Sequence, residues 1–383
     1  MIYRKLGKTG LEVSAIGLGC EYVWFADEER VTEVVHAALD AGINYIDLFV
    51  GTPTTREYFG RAIKGRRDKV YLAGHLGCAD QNGQYVKTRD EALCKEFLRQ
   101  FYEKLDTDYI DVLFLHNCDT QEDLDEIMDG WMYAYARELK DSGKAGFIGF
   151  SSHNTKIAME AVKTGKIDVL MFPVNPLFNM LPQDTADARM KGREVQAMTE
   201  EEKAAYPTKQ ELYDLCEQMG VGIVAMKPFA AGNILKSHGE GRLKGILNLT
   251  PVQAISYILS IPQVACPVPG FASVEELNQS LAYLTATEEE RDFSEIHDSL
   301  LGKFNNQCMY CNHCQPCPKQ IDIAEVTKLA DMAEKEMTDD LIGRYQALEV
   351  NASDCLHCGA CTKRCPFGID ASANMARAER IFG

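Results

Sequence analysis

Eight of the fourteen cysteines in this 383-residue chain lie in two short runs near its C-terminus. The runs read Cys308-x2-Cys311-x2-Cys314-x2-Cys317-Pro318 and Cys355-x2-Cys358-x2-Cys361-x3-Cys365-Pro366. Eight thiolates in this arrangement supply four ligands to each of two [4Fe–4S] clusters. We therefore expect this end of the chain to fold around the metal that its cysteines bind.

The spacing also predicts which thiolates share a cluster. Three cysteines at i, i+3 and i+6 can contact one face of a cuboidal cluster, and the following Cys-Pro then serves the other cluster. One cluster is predicted to take Cys308, Cys311, Cys314 and Cys365, and the other Cys355, Cys358, Cys361 and Cys317. Two zinc sites or a disulfide framework are the alternatives, but structural zinc sites usually take two close ligands from each of two separate loops.

The composition is that of a globular protein, with 46% hydrophobic and 25% charged residues. The formal net charge of −17 argues against nucleic acid or an anionic membrane surface as a partner. No stretch of sequence reaches the roughly 20 apolar residues that cross a bilayer, and no apolar signal segment follows Met1–Lys8. The six remaining cysteines are scattered, which suits a reducing compartment. We therefore expect a cytoplasmic protein without a membrane partner.

Short β-rich apolar runs alternate with helical patterns from the N-terminus to about residue 285. Strands are predicted at Ser14–Leu18, Ile43–Leu48, Lys69–Ala73, Tyr109–Leu115, Phe147–Phe150, Val169–Val174, Gly222–Met226 and Ala265–Val268. Strand–helix alternation repeated in this way over roughly 250 residues is typical of a (β/α)8 TIM barrel, an α/β fold. A hairpin of Tyr3–Lys5 and Leu11–Val13 is predicted to close its bottom. A doubly wound sheet is the alternative, but Gly17-Leu18-Gly19 lacks the third glycine of a dinucleotide-binding turn.

The pattern changes after residue 286, so we predict two domains. Residues 1–286 form the barrel, and residues 287–383 form a small ferredoxin-like domain. Helices of the second domain are predicted at Glu288–Leu301, Ile323–Lys335, Asp340–Ala347 and Asp370–Ile381, on either side of the cysteine runs. Such a small α-helical module has little core of its own and depends on its two clusters.

Polar residues follow several of the predicted barrel strands, where the catalytic groups of such barrels lie. Asp47 ends the second strand, His75 follows the third, His116 follows the fourth, and Ser151-Ser152-His153-Asn154 follows the fifth. A carboxylate and two imidazoles in one mouth can transfer protons near neutral pH. A structural role is the alternative for each histidine taken alone.

Three segments resemble the aldo/keto reductases. They are Gly42-Ile43-Asn44-Tyr45-Ile46-Asp47, then Asp108–His116, and then Gly143–Ser151. The resemblance covers residues 1 to about 285 and implies a (β/α)8 oxidoreductase. The cysteine-rich tail resembles the branch of that superfamily with a C-terminal ferredoxin-type 4Fe–4S dicluster domain.

The family's catalytic set is Asp, Tyr, Lys and His, and it carries over in part. Asp47 matches the aspartate and His116 the histidine, whereas Thr52 stands in place of the tyrosine and His75 in place of the lysine. Threonine cannot replace the tyrosine as an acid, because its hydroxyl is far less acidic. His75 is therefore predicted to be the acid or to stabilise an oxyanion, and Tyr22, beyond the first strand, is predicted to supply a phenol.

The resemblance also implies a nicotinamide site. Residues after strands five and six could hold the carboxamide, and they are Ser151, Ser152, Asn175 and Asn179. Gly270 and Ser273 lead into a helix whose N-terminus could take a phosphate. No Arg or Lys appears where a 2′-phosphate would need one, which argues against NADP and leaves NAD as the alternative. No flavin motif is visible.

The predicted function is an iron–sulfur oxidoreductase of the aldo/keto reductase type that acts on a small carbonyl or polyhydroxylated substrate. Its clusters would relay single electrons, with a ferredoxin or another one-electron carrier as partner and no nucleic acid. Two alternatives remain open. One is a lyase, isomerase or dehydratase with structural clusters, and the other is a catalytically degenerate electron-transfer subunit.

Overall fold

The chain folds into two compact units. A computed structural model describes residues 1–49, 52–81, 84–180, 206–230, 232, 234–235, 249–293, 308, 314, 317–334, 337–364 and 369–383. The first unit comprises Met1–Asn179, Pro207–Ala231 and Leu249–Phe293, and the second comprises Met180–Tyr206, Gly232–Asn248 and Ser294–Gly383. The domain boundary proposed at residue 286 stays a prediction.

Within the described residues, the strands all lie in the first unit. In chain order they are β1 (Tyr3–Lys5), β2 (Glu12–Ser14), β3 (Leu18–Gly19), β4 (Tyr45–Asp47), β5 (Tyr71–Leu76), β6 (Cys78–Gln81), β7 (Gln84–Lys87), β8 (Ile110–Leu115), β9 (Ala145–Ser151), β10 (Val169–Pro173), β11 (Gly222–Met226) and β12 (Val264–Pro267). One sheet has the order β12-β11-β10-β9-β8-β5-β4-β3 with parallel neighbours, and β1–β2 and β6–β7 are antiparallel hairpins.

The sheet closes on itself. The amide of Gly17 donates to the carbonyl of Pro267 at 2.8 Å, and the amide of Gly19 donates to the carbonyl of Pro269 at 2.8 Å. A parallel bridge between Gly19 and Gly270 continues this contact between the first and last strands. Closure of eight parallel strands confirms the predicted TIM barrel.

The helices follow the strands. Those of the first unit are α1 (Glu28–Asp40), α2 (Pro53–Ala62), α3 (Glu91–Lys104), α4 (Gln121–Asp129), α5 (Trp131–Asp141), α6 (Thr155–Lys163), α7 (Pro176–Met180), α8 (Lys209–Met219), α9 (Pro251–Leu259), α10 (Val274–Leu281) and α11 (Glu288–Arg291). Most begin at a Thr, Asp, Asn or Ser whose side chain accepts the backbone N–H three residues on, as Asp27 does at α1. None of the helices in the described ranges combines the length and apolar character needed to cross a membrane.

Apolar side chains fill two layers of the barrel. One cluster lies between the sheet and the helices, to which α1 contributes Val31, Val34, Val35 and Ala38. The spacing of these four residues places them on one face of the helix. A second cluster fills the barrel interior and includes Val112, Phe114, Val169 and Val224.

The N-terminal hairpin closes the bottom of the barrel, as predicted. Leu6 and Val13 of this hairpin are fully buried and belong to the interior cluster. The amide of Lys8 donates to the carbonyl of Gly220, just before the first residue of β11. The hairpin therefore lies at the amino ends of the strands and leaves their carboxyl ends open for chemistry.

The bounds of most predicted strands differ from the structure by one to four residues, and two of these differences need a physical explanation. The run Ser14–Leu18 is predicted as a strand, but its backbone pairs elsewhere: the Ser14 amide donates to Asn44 Oδ1 and the Ser14 hydroxyl donates to the carbonyl of Ile16. The third barrel strand extends to Leu76, because its parallel pairing with β8 continues past Ala73. His75 therefore lies within a strand rather than after it.

The second unit is α-helical in its described part. Its helices are α12 (Ile323–Ala333), α13 (Asp339–Gln346), α14 (Ala360–Arg364) and α15 (Ala371–Phe382). Three of them match the predicted helices closely, whereas residues 294–301 of the predicted helix Glu288–Leu301 lie outside the described residues. The described part of its core is small and includes Ile321, Val326, Leu329 and Met375.

Candidate active site and metal centre

Four side chains form an unbroken chain of hydrogen bonds at the carboxyl ends of the barrel strands. Asp47 Oδ1 lies 2.8 Å from His75 Nε2, and His75 Nδ1 lies 3.1 Å from His116 Nδ1. His116 Nε2 lies 3.0 Å from the hydroxyl of Tyr85. Asp47, His75 and His116 are buried, whereas Tyr85 is 37% exposed. The chain therefore leads from a buried carboxylate to a phenol at the solvent side.

The barrel strands position the first three groups. Asp47 is the last residue of β4, His75 lies one residue before the end of β5, and His116 directly follows β8. In the sheet β5 lies between β4 and β8, so the three side chains come from adjacent strands. The structure thus brings together three of the four residues predicted to be catalytic.

Tyr85 comes from a hairpin inserted between β5 and α3. Gly77 starts the hairpin in the left-handed region with φ of +110°, and a Cβ at this position would lie 2.7 Å from Arg89 Nη1. Arg89 ends the hairpin segment and donates to the carbonyls of His116 and Asn117 at 2.9 and 3.0 Å. The base of the hairpin is therefore fixed to the loop that carries His116.

Sequence reasoning missed Tyr85. The chain nevertheless contains a signal for the hairpin, because the dipeptide Asn82-Gly83 lies between two short segments of which the second, Gln84–Lys87, carries Tyr85. Asn-Gly is the strongest short-range indication of a two-residue β-hairpin turn. Recognising this hairpin would have placed a phenol near the end of the third barrel strand.

The positions of the protons in this hydrogen-bond chain follow from the charge of Asp47. An ionised Asp47 accepts the Nε2–H of His75, which leaves the Nδ1 of a neutral His75 as an acceptor for the Nδ1–H of His116. The Nε2 of His116 then accepts the O–H of Tyr85. Burial, followed by the His75 ring and Arg89, lowers the pKa of His116 well below its ordinary value, so this ring is neutral near pH 7. Burial raises the pKa of Tyr85, so its phenol is protonated.

Aromatic packing holds the imidazole rings in place. The ring of Phe49 lies 5.0 Å from that of His116, and the ring of Phe114 stacks on His75 with centroids 5.1 Å apart. Gly149 of the neighbouring strand β9 makes room for Phe114, because a Cβ there would lie 2.3 Å from its Cδ1 atom. The histidines are therefore fixed by contacts as well as by hydrogen bonds.

A second set of polar side chains lies at the ends of β8, β9 and β11. His153 Nδ1 lies 3.3 Å from both carboxylate oxygens of Asp119, and His153 Nε2 lies 2.9 Å from Lys227 Nζ. Asp119 and His153 are buried, and Lys227 is partly exposed. His153 belongs to the polar run predicted after the fifth strand, whereas Asp119 and Lys227 were not predicted. Lys227 directly follows β11, so the strand-end argument applied to this strand would have found it.

In the second unit, four cysteine thiols line one cavity. They are Cys317, Cys355, Cys358 and Cys361, the four residues predicted to share a cluster. Among the residues that the structure describes, no three His, Cys, Asp or Glu side chains group closely enough to hold a single metal ion. A cuboidal iron–sulfur cluster takes four thiolate ligands, so four thiols around one cavity fit such a cluster.

The loop between these cysteines is shaped for such a role. His357 and Gly359 have left-handed backbone conformations, with φ of +48° and +70°. The amide of His357 donates to Cys355 Sγ at 3.4 Å, a contact that stabilises negative charge on sulfur. Of the other predicted cluster, Cys308 is half-buried and Cys314 is buried, while Cys311 and Cys365 lie outside the described residues. No disulfide bond joins any two of the twelve described cysteines.

The six remaining cysteines are buried structural thiols. They are Cys20, Cys78, Cys94, Cys118, Cys216 and Cys266. Burial raises the pKa of Cys94 to about 11 and those of Cys78 and Cys216 to about 12. Such thiols stay protonated near neutral pH and are poor nucleophiles.

Comparison with known proteins identifies the barrel. The model of the aldo/keto reductase family matches residues 15–245, more than half of the chain. The chain belongs to the aldo/keto reductase family. A model described as a 4Fe–4S binding domain matches residues 348–369. The protein is therefore an oxidoreductase of this family with a C-terminal 4Fe–4S binding domain.

Relatives of the barrel come from several organisms. The uncharacterized oxidoreductase YqkF of Bacillus subtilis (strain 168) is 26% identical over 319 residues, which are 75% of this chain and 93% of that protein. The probable aldo-keto reductase 1 of Glycine max is 23% identical over 339 residues, 77% of this chain and 88% of that protein. The holo form of aldo-keto reductase AKR11C1 from Bacillus halodurans superposes with a TM-score of 0.60 at 25% identity, covering 78% of this chain and 96% of that one.

Thr52, which stands in place of the family's tyrosine, and Tyr22, which was predicted from its position after the first strand, have other contacts. Thr52 caps the N-terminus of α2, where its hydroxyl accepts the amide of Thr55 at 3.1 Å. Tyr22 lies on a short 3-10 turn and is 48% exposed, and its ring packs against Gly270. Within the described part of the chain, no hydrogen bond joins the Tyr22 hydroxyl to Asp47 or its partners. The catalytic role of Tyr22 stays a prediction.

The residues predicted to hold a nicotinamide carboxamide already have partners in the protein. The Ser151 hydroxyl accepts the amide of Asn117, and the Ser152 hydroxyl donates to Asp119. Asn175 donates to the carbonyl of Lys227 at 2.8 Å and accepts the amide of Phe178 at 2.8 Å. Asn179 Oδ1 accepts the hydroxyl of Tyr213 at 3.3 Å.

The predicted phosphate site at the start of α10 is similarly engaged. Ser273 accepts the amide of Glu276, and the Glu276 carboxylate accepts the amide of Ala272 at 2.7 Å. A carboxylate therefore occupies the anion position at this helix N-terminus, next to the Gly270 turn. These residues do not fit a dinucleotide phosphate, and the predicted NAD(P) site stays a prediction.

Proposed function

We propose that the protein is an iron–sulfur oxidoreductase that interconverts a small carbonyl compound and its alcohol, with Tyr85 transferring the proton at the substrate oxygen. The observation that carries this proposal is the hydrogen-bond chain Asp47–His75–His116–Tyr85. A buried carboxylate, two imidazoles and a phenol at the open end form a path for one proton.

This protein replaces the family's catalytic set with a different arrangement of similar groups. Asp47 and His116 stand where the family has its aspartate and histidine. His75 takes the bridging place of the lysine, next to Asp47, and Tyr85 supplies from the hairpin the phenol that Thr52 lacks. The acidic hydroxyl that carbonyl reduction requires is therefore retained.

The chain of hydrogen bonds has two polarities that differ by one proton. With Asp47 ionised, all three hydrogen bonds donate towards the carboxylate: Tyr85 donates to His116, His116 to His75, and His75 to Asp47. We call this the inward state. With Asp47 protonated, the three hydrogen bonds donate in the opposite direction, from Asp47 towards Tyr85, and the Tyr85 O–H faces the substrate. We call this the outward state.

Transfer of the phenol proton converts the outward state into the inward one. Reduction of the carbonyl takes two electrons and two protons: one proton, from water, forms the C–H bond, and the Tyr85 O–H bond breaks as its proton passes to the oxygen. His116 returns its Nε2 proton to Tyr85, His75 passes its Nδ1 proton to His116, and Asp47 passes its proton to His75. Alcohol oxidation runs the same sequence in reverse. The carboxylate is thereby ionised once in each reduction.

The cysteines would hold the source of electrons. Cys317, Cys355, Cys358 and Cys361 would hold one [4Fe–4S] cluster, and Cys308, Cys311, Cys314 and Cys365 the other. Such clusters, when bound, supply single electrons that a ferredoxin-type carrier can deliver. No step of the proposal passes through nicotinamide, because the described candidate site fits it poorly.

The decisive experiment compares two tyrosines. The anaerobic protein is reduced with dithionite, small aldehydes and ketones are added, and reoxidation of the clusters is followed by absorbance. We expect Tyr85→Phe to slow substrate-dependent reoxidation by about 100-fold or more, since it removes the acid but keeps the ring. Tyr102→Phe is the matched control, because the Tyr102 hydroxyl only donates to the carbonyl of Lys144 on the barrel surface.

Each other outcome has a defined meaning. Equal rates for the wild type and Tyr85→Phe would exclude Tyr85 as the proton donor. Slow reoxidation in Tyr22→Phe together with normal rates in Tyr85→Phe would assign the phenol to Tyr22. Clusters that no carbonyl compound reoxidises would contradict the redox proposal itself.

A further inference from the structure

Asp119, His153 and Lys227 form a second path for a proton at the mouth of the barrel. Asp119 Oδ1 accepts the backbone amide of His153 at 2.7 Å and the hydroxyl of Ser152 at 3.3 Å. Both contacts stabilise its ionised form, so Asp119 accepts the Nδ1–H of His153. The Nε2 atom of His153 is then an acceptor and receives a proton from Lys227 Nζ.

This arrangement can turn Lys227 from an acid into a base. Transfer of one proton from the Lys227 ammonium to His153 leaves a neutral amine and an imidazolium. The imidazolium lies between the amine and the carboxylate of Asp119, which stabilises its charge. Return of the proton restores the ammonium. The buried Asp119 and His153 therefore control the charge of Lys227, which is partly exposed.

The backbone holds Lys227 firmly in this place. Lys227 has a left-handed conformation with φ of +55°, which is uncommon for a residue with a side chain. The fully buried Asn175 donates to the carbonyl of Lys227 at 2.8 Å. Uncommon conformations that the surrounding structure maintains are found most often at functional sites.

The two paths are neighbours. His116 and Asp119 lie three residues apart after β8, and His153 follows β9, which pairs with β8. The charge of His153 is among the causes that lower the pKa of His116. Burial raises the pKa of Glu21, while the charge of Lys227 lowers it and that of Asp47 raises it, so both charges lie within electrostatic range of Glu21. A small molecule bound at Tyr85 therefore lies next to a second proton-transfer group.

We propose that Lys227, assisted by His153 and Asp119, removes and returns a proton on the carbon next to the substrate carbonyl while Tyr85 protonates the carbonyl oxygen. The substrate class is then an enolisable carbonyl compound such as a hydroxyketone. This inference rests on the proposed role of Tyr85 at a carbonyl group. It goes beyond the redox reaction, because it requires no electrons.

The step is balanced in atoms and electrons. The C–H bond breaks and its proton forms an N–H bond with the amine of Lys227, while its electron pair forms the carbon–carbon double bond. The carbonyl π pair moves to oxygen, which takes the proton of Tyr85. The product is an enol or enediol, and Tyr85 regains a proton from His116. Reversal returns a proton to carbon, and nothing is oxidised or reduced.

The test measures exchange of carbon-bound hydrogen in heavy water. The full-length protein with oxidised clusters, and without reductant or nicotinamide, is mixed with dihydroxyacetone, and proton NMR follows loss of its C–H signals. Lys227→Arg is the main variant, because arginine keeps the positive charge and cannot act as a base. We expect exchange by the wild type, and rates at least about 100-fold lower in Lys227→Arg and Lys227→Met.

Lys8→Met is the matched control and keeps the wild-type rate, because Lys8 lies at the opposite end of the barrel and donates to the carbonyl of Met219. Tryptophan fluorescence checks that each variant is folded, and a misfolded Lys227→Met leaves Lys227→Arg to decide. Exchange in Lys227→Arg as fast as in the wild type would overturn the proposal, as would wild-type exchange no faster than in buffer.

The result is independent of the redox proposal. Slow exchange in Lys227→Arg together with normal dithionite-driven reduction supports two separate functions of the mouth. Absence of wild-type exchange together with normal reduction overturns this inference alone. Failure of reduction together with Lys227-dependent exchange contradicts the redox proposal and leaves this one standing.

Discussion

The barrel and the C-terminal unit differ in what holds their functional groups in place. In the barrel, Asp47, His75 and His116 stand on adjacent strands over a continuous apolar core, and protein atoms satisfy their hydrogen bonds. In the C-terminal unit, the thiols of Cys317 and Cys355 and their two companions line a cavity, and the described apolar core is small. The first site is organised by the fold, whereas the second is organised by what binds there.

The two units are therefore expected to be sensitive to different changes. The barrel depends on close packing, so a change of one methyl group in its interior affects the site. The C-terminal unit depends on its ligands, so loss of iron affects the whole unit. Tryptophan fluorescence reports on the barrel alone, because both tryptophans of the protein, Trp24 and Trp131, lie in the first unit.

The largest expected effect is that of iron removal. An iron chelator under reducing conditions is expected to unfold the C-terminal unit, because the cavity lined by Cys358 then has no ligand to hold it together. Hydrogen exchange of Ile323–Ala333 reports this unfolding, while tryptophan fluorescence of the barrel stays unchanged. If the protein holds the two proposed clusters, Cys358→Ala is expected to lower the iron content by about half, because it removes a ligand of one of them. Cys216→Ala, which removes a buried barrel thiol, is the control and keeps all its iron.

Protection of Ile323–Ala333 that persists in the iron-free protein would contradict this prediction. It would mean that the C-terminal unit has enough core of its own, and the contrast with the barrel would disappear.

A smaller effect is expected from a methyl group inside the barrel. In Gly149→Ala the added Cβ would lie 2.3 Å from the ring of Phe114, which stacks on His75. We expect the free energy of unfolding of the barrel to fall by about 1–3 kcal/mol, because the ring has to move. Urea unfolding followed by tryptophan fluorescence measures this change. An unchanged midpoint would show that the packing around His75 is loose.

The stability of the barrel should also depend on pH through His116. Its folded-state pKa is lowered below the ordinary 6.5, mainly by burial, so the unfolded chain binds this proton more readily. The contribution of neutral His116 to the free energy of unfolding is therefore fully present above about pH 6.5. It is lost as the pH falls below this value, by up to about 1.4 kcal/mol per pH unit. His116→Gln removes this contribution and flattens the dependence, whereas His36→Gln on the barrel surface leaves it. Equal slopes in all three proteins would contradict the neutral state of His116.

The smallest effect is expected in the C-terminal unit. Gly343 lies in α13 with nothing within 4 Å of an added Cβ, in contrast to Gly149. Gly343→Ala is expected to stabilise the iron-loaded unit by about 0.5–1 kcal/mol, because alanine favours the helix. Thermal unfolding followed by circular dichroism measures it. A destabilised variant would indicate that this face of α13 is covered.

Much of the architecture could be predicted from local patterns. The strand Gly222–Met226 has the predicted bounds, and the N-terminal hairpin differs by one residue in its second strand. Helix α12 begins at Ile323 as predicted. These elements depend on hydrophobic periodicity and on capping residues, which short segments of sequence contain in full.

The site could be predicted only in part. Placement at strand ends correctly grouped Asp47, His75 and His116, because parallel strands bring their carboxyl ends to one edge. The same argument selected Tyr22, which packs on Gly270 instead of joining the others. Residues that follow the strands all lie at the mouth of the barrel. The direction of each side chain, however, depends on the turn after its strand, and the hydrophobic periodicity of the sequence does not predict that turn.

The sequence by itself determined that Cys317, Cys355, Cys358 and Cys361 would lie around one site and that repeated strands and helices would form a barrel. Only the tertiary structure decided which groups complete the hydrogen-bond chains, namely Tyr85 for His116 and Lys227 for His153. The partners in each pair lie 31 and 74 residues apart. The physical reason is that ligand spacing and periodicity are local properties of the chain, whereas a hydrogen bond between distant residues depends on strand register and on the turn that aims each side chain.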